Sequence, residues 1–142
     1  MNRRLWVAAF PLIAALLLSS CGEPVSDEHI IDEPATLEEV EGTELTRVTL
    51  TQRAAERLDI QTAPVEALEN RLVVPFSAVL VDPEGVFWVY TSPEPLVFLR
   101  HEISIVHEEG DQTFLSAGPP VGTAVVTVGV PELYGAETEI GH

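Results

Sequence analysis

From Arg71 to Gly129 the chain is a succession of short β-branched and aromatic runs, each closed by turn-forming residues. That punctuation leaves little room for anything but strands. Leu72-Val73-Val74 leads into Pro75, and Ala78-Val79-Leu80-Val81 meets the turn Asp82-Pro83-Glu84-Gly85. Val86-Phe87-Trp88-Val89-Tyr90 returns as the second arm of a predicted hairpin, and Ser92-Pro93-Glu94-Pro95 is another turn. Leu96 to His107 is predicted as the longest strand, turned by Glu108-Glu109-Gly110-Asp111 into Gln112–Ser116. Gly118-Pro119-Pro120-Val121-Gly122 breaks the chain before a last strand, Ala124-Val125-Val126-Thr127-Val128. Pro131 to Tyr134 is expected to form one helical turn, with residues 136–142 as a frayed tail. Short strands at near-regular spacing predict a mainly all-β fold, a small barrel or roll.

The segment before Arg71 adds two strands and one short helix. Arg47-Val48-Thr49-Leu50 alternates as a strand. Thr51 is placed to cap a helix over Gln52 to Leu58, with Leu50, Ala54 and Leu58 at four-residue spacing on one face. Asp59 ends it, and Ile60-Gln61-Thr62-Ala63-Pro64-Val65 reads as an edge strand because a proline near its end cannot donate to a ladder. The predicted domain therefore spans residues 45–135.

Residues 1–20 have the character of an export signal. Arg3 and Arg4 precede fourteen uncharged residues, Leu5 to Leu18, in the order of a positive n-region and an apolar h-region. The run is shorter than the roughly 20 residues a transmembrane helix requires, and Pro11 would disturb its middle. Leu18-Ser19-Ser20-Cys21 resembles the bacterial lipobox, in which the cysteine is lipidated before the signal is cut. Cys21 is accordingly the expected lipidation site, tying the protein to a membrane on its extracytoplasmic side. It is also the single cysteine, so no disulfide is expected and stability must come from packing.

Charge narrows the partners. The chain carries 23 acidic residues and a formal charge of −16. Removing Arg3 and Arg4 leaves five arginines and no lysine against those acids, or −18. A phosphate backbone needs a basic face, so nucleic acid is excluded as a partner. Residues 21–44 interleave nine acids with Pro24 and Pro34 and have too few apolar residues to bury a face. They are expected to be an acidic flexible tether between lipid and domain.

Two pieces of this pattern resemble the membrane-proximal domain of periplasmic adaptors, the membrane-fusion proteins that join inner-membrane efflux transporters to an outer-membrane channel. The first is Val48-Thr49-Leu50-Thr51 with Leu58-Asp59-Ile60-Gln61-Thr62-Ala63-Pro64-Val65. The second is Val74-Pro75-Phe76-Ser77-Ala78-Val79, the strand Trp88-Val89-Tyr90, and Gly118 to Gly122 followed by Val125-Val126-Thr127-Val128-Gly129, with Leu133 and Gly135 matching the closing turn. The family usually has glycine where this chain has Asp59, a residue that tolerates left-handed backbone better than most. Full adaptors separate the two pieces by a barrel, a lipoyl-like domain and a helical hairpin. Here only Glu66 to Leu72 intervenes. The resemblance implies a membrane-proximal module alone, in which Val48–Leu50 and Ile60–Val65 join the strands after Arg71, with an inner-membrane transporter as the partner it suggests.

No catalytic constellation stands out, and no cofactor or metal site is expected. Of the four histidines, His29 falls in the tether and His142 at the terminus. His101 and His107 share the parity of Val97, Leu99, Ile103 and Ile105, which would put them on one face but about 20 Å apart along an extended strand. Ser77 and Ser104 have no neighbouring His–Asp pair, and no Gly-x-Ser-x-Gly elbow occurs. Met1, lost with the signal, is the lone methionine, so the methionine clusters of metal-efflux adaptors do not carry over. For the aromatic stripe Phe87, Trp88, Tyr90 and Phe98, core or cross-strand packing is the favoured reading, and the alternative is an exposed patch of Phe76, Trp88 and Tyr90 for a partner. The expected function is non-enzymatic: a lipid-anchored module that binds a membrane partner. The alternative is a free-standing binding module for a small solute or envelope component.

Overall fold

The computed structural model describes residues 33–139. The predicted signal, Cys21, His29, His142 and the first half of the predicted tether, residues 21–32, lie outside them. Eleven strands and two helices follow one another: β1 (Ala35–Glu39), β2 (Thr46–Leu50), α1 (Gln52–Arg57), β3 (Gln61–Pro64), β4 (Glu66–Leu68), β5 (Arg71–Pro75), a 3-10 turn at Phe76–Ala78, β6 (Leu80–Val81), β7 (Phe87–Glu94), β8 (Val97–Glu102), β9 (Ser104–Glu109), β10 (Gln112–Ala117), β11 (Ala124–Val128) and α2 (Val130–Glu139). The fold is mainly β, as expected, but the strands form two open antiparallel sheets rather than a closed barrel.

The larger sheet runs β1-β2-β8-β7-β11-β3, with β6 also paired to β7. The smaller runs β4-β5-β10-β9. The two N-terminal strands are thus built into the sheet of the later ones: Val48 of β2 faces Phe98 of β8, and Ala63 of β3 faces Val125 of β11. Pro64 sits on an edge strand, where its missing N–H costs no ladder bond.

Alternation on the central strands explains their continuous apolar runs. Val89 and Val125 point into a core between the sheets, with Val65, Val74, Ala78, Ile103 and Leu115. Their neighbours Tyr90 and Val126 point the other way, into a second core with Val48, Leu50, Ala54, Phe98, Val130 and Leu133. A strand covered on both faces needs no polar side. Helix α1 starts as the sequence predicts: the Thr51 hydroxyl accepts from the Ala54 N–H at 3.1 Å, satisfying a donor that the first turn leaves unpaired. Asp59 closes it with φ +50°, the left-handed conformation anticipated for it.

Three expectations need correction, and one connecting stretch proves to be a hairpin. The tether does not extend to residue 44, because Ala35–Glu39 is a strand paired along its whole length with β2. Ala35 is buried there and Leu37 packs on the same core, so pairing with an open edge overrides an acid-rich local sequence. The predicted long strand from Leu96 to His107 is broken at Ile103, with β8 in one sheet and β9 in the other. Ile103 is 4% exposed between the sheets, and its N–H donates to the Phe87 carbonyl at 2.9 Å. The stretch Glu66 to Leu72 is a hairpin turned by Glu69 and Asn70, both at positive φ, as a two-residue primed turn requires. The expected frayed tail is helical as far as Glu139, because Val130, Leu133 and Glu137 are buried against the larger sheet.

Candidate functional site

The polar groups that converge in this fold do so around the β6–β7 hairpin and α2. Asp82 opens the turn. Its side chain accepts from the Val86 N–H at 2.8 Å and from Trp88 Nε1 at 2.9 Å. Partial desolvation raises its pKa, but the bonds from Trp88 and from the Val86 and Glu84 backbone, with the positive Arg100, outweigh it. The carboxyl is held below its ordinary range. The turn is closed by main-chain bonds as well, Asp82 N–H to the Val86 carbonyl and Gly85 N–H to the Asp82 carbonyl, each 3.0 Å.

Trp88 carries the connection inward. The Arg100 guanidinium of β8 lies over its indole, 4.8 Å from the ring centroid, with the Tyr134 ring 5.7 Å away. Both distances are those of cation–π contacts. Arg100 Nε and Nη2 donate to Glu137 Oε1 at 3.0 and 2.9 Å. The other carboxylate oxygen accepts the Tyr90 hydroxyl at 2.5 Å. Burial, the bond to Glu137 and its negative charge raise the Tyr90 pKa far above the usual phenol value, so the hydroxyl remains a donor at any physiological pH. Glu137 lies in the last turn of α2, where no basic residue offsets the helix dipole. Arg100 and Tyr90 supply that compensation from the sheet.

The result is a continuous relay, Asp82–Trp88–Arg100–Glu137–Tyr90, that runs from the hairpin turn to the buried face of α2. Its members are spread from residue 82 to residue 137, and no local motif announces it. What it does chemically is fix geometry. Each charged group is engaged by another protein group, and the hairpin is braced against the helix. Beside it lies a shallow groove of about 390 Å³ lined by Glu44, Leu45, Trp88, Arg100, His101 and Glu102. A more apolar groove of about 470 Å³ lies between α1, α2 and the start of β1, lined by Leu50, Ala54, Leu58 and Ala136 with Arg57 and Glu132.

The aromatics divide as neither simple reading had it. Tyr90 and Phe98 are core, Trp88 is half-buried in the relay, and Phe87 and Phe76 are 39% and 54% exposed. His101 and His107 do not share a face, because the chain changes sheets between them. His107 is exposed and stacks on Phe114, with ring centroids 4.4 Å apart. Ser77 lies exposed in the 3-10 turn, and the Ser104 carbonyl accepts the Ser116 hydroxyl. Among the described residues no three His, Cys, Asp or Glu side chains gather as a metal site would require, and no helix is long and apolar enough to cross a membrane.

Comparison with known proteins adds no neighbour. No family model, curated protein or solved structure matches the chain.

Proposed function

We propose that this is a lipoprotein anchored through Cys21 on the extracytoplasmic side of a membrane, where its β-domain works without catalysis by docking to a membrane-embedded protein. An efflux-transporter component is the partner the adaptor resemblance favours. The observation that carries the reading is the interleaving of the two N-terminal strands with the later ones: β2 on β8 and β3 on β11. That pairing is what a membrane-proximal adaptor module with its middle removed would need. The short spacing to the anchor supports it too. Ala35 follows Cys21 by 14 residues, so the first strand begins at most about 50 Å of chain from the lipid. Confinement of that kind raises the effective concentration at the membrane and lets a modest interface suffice.

The test is fractionation and co-purification from native membranes in mild detergent. The wild-type protein partitions with detergent and brings down one integral membrane protein at low salt, and Cys21→Ser becomes soluble and loses it. Membrane retention unchanged by Cys21→Ser refutes the anchor. Repeated recovery of no membrane protein refutes the docking. The apolar groove at Leu50, Ala54, Leu58 and Ala136 favours a second reading, a binding module for a small apolar solute. A ligand retained through purification, lost on Ala54→Trp, would put that reading ahead.

A further inference from the structure

The relay ends on a surface that the fold itself does not use. On the β6–β7 hairpin, Val81 and Phe87 stand directly opposite one another in the ladder. Both are exposed, at 53% and 39%. A cross-strand pair of large apolar side chains is normally covered, since joint burial is what stabilises it. The other exposed large apolar residues form no such cross-strand pair: Phe76 is in the 3-10 turn and Val128 at the end of β11. Leu68 and Val106 lie on opposite edge strands of the smaller sheet, and Val121 is in a separate turn.

The hairpin is also rigid, and its charge has one sign. Its turn is locked by four hydrogen bonds that involve Asp82, and Trp88 fastens it to Arg100 and through Glu137 to α2. The Asp82 carboxyl is kept ionised by those bonds, and Glu84 is exposed at the tip. No basic residue occurs between Leu80 and Leu99. The nearby cation, Arg100, is taken by Glu137. A preformed apolar pair loses little freedom on binding, which is where much of the cost of association lies. A fixed acidic rim selects the sign of what approaches.

We propose that the β6–β7 hairpin is the docking surface of this protein, with Val81 and Phe87 as apolar anchors and Asp82 and Glu84 as the rim. Its occupant is a segment of a protein partner that carries Lys or Arg beside apolar side chains. The proposal rests on the docking function above and assigns it a place and a chemistry.

Site-specific photo-crosslinking tests it in the full lipidated protein in native membranes. A benzophenone side chain is placed at position 87 and, in separate proteins, at the exposed positions 68 and 121. The expected result is an adduct from position 87 alone, on a partner peptide that contains Lys or Arg and apolar residues. Adduct yield should fall as salt rises, and by roughly tenfold with Val81→Ser or Glu84→Lys, each of which is to be checked for an unchanged melting temperature. Adducts from 68 or 121 with none from 87 overturn the hairpin while leaving the docking function standing. An adduct peptide from 87 without basic residues overturns the proposed chemistry. Adducts from no position overturn the surface and the docking function together.

Discussion

Replacing Arg100 by methionine should destabilise this domain by several kcal/mol, because it strands a buried carboxylate. Glu137 is 7% exposed as a residue, and its Oε1 receives both of its donors, at 3.0 and 2.9 Å, from Arg100. Methionine keeps much of the stem's contact with Trp88 and Tyr134 but leaves a buried carboxylate with the Tyr90 hydroxyl as its one remaining partner in the relay. Stranding a buried charge costs about 3–5 kcal/mol. For a domain near 100 residues that lowers the melting temperature by at least about 12 °C. The assay is urea denaturation of a soluble form beginning at Gly22, followed by tryptophan fluorescence. Trp88 is the sole tryptophan once Trp6 is gone, so the probe sits inside the relay. The companion protein Tyr90→Phe/Arg100→Met/Glu137→Leu removes every stranded group together and should recover to within about 2 kcal/mol of the wild type, because removing a whole buried network costs far less than breaking it. A loss under about 1 kcal/mol in Arg100→Met, or a triple variant no more stable than the single one, would refute the idea that the relay is a closed, mutually dependent unit.

Two further outcomes follow from local geometry. Gly129 has φ +93°, and a Cβ there would collide with Ile60 Cδ1. Gly129→Ala should therefore destabilise by about 1–3 kcal/mol, and adding Ile60→Ala should restore the space but not the backbone strain, so a full rescue in thermal melts would contradict the strain. Asp82 titrates below its unfolded value of 3.8, so its carboxylate contributes stability that is present above that pH and lost as pH falls through the lowered folded value. The stability gap between wild type and Asp82→Asn should be full at about pH 7 and shrink below about pH 4. Denaturation curves showing a constant gap down to about pH 2 would rule this out.

Where local chemistry and tertiary context agree, the sequence was a sufficient guide. The last strand, Ala124–Val128, was readable at its bounds because β-branched residues fill it and glycines close it on both sides. The Asp82–Gly85 turn and the Thr51 cap were readable because the residues that make them also bond to them. β1 was not, since its acids resemble a solvated spacer and only the open edge of β2 makes a strand of them. The break at Ile103 has no glycine or proline to mark it. It exists because that side chain fits between two sheets that the sequence does not display. Gly135 within α2 disguised the helix, which is held by the burial of Leu133 and Glu137 rather than by propensity. The relay was hidden for a plainer reason. Arg100 and Glu137 are 37 residues apart, and nothing in either neighbourhood requires the other.

The single residue between β8 and β9 has a consequence for how this chain avoids misfolding. With only Ile103 as a corner, there is no slack to absorb an error. If β8 slipped by one residue against β7, every side chain on it would change faces. Ile103 would then turn outward, and β9 would arrive at β10 with its own faces reversed. The alignment of each sheet therefore constrains that of the other, because a slip in one exposes the corner residue and reverses the faces presented by the next strand.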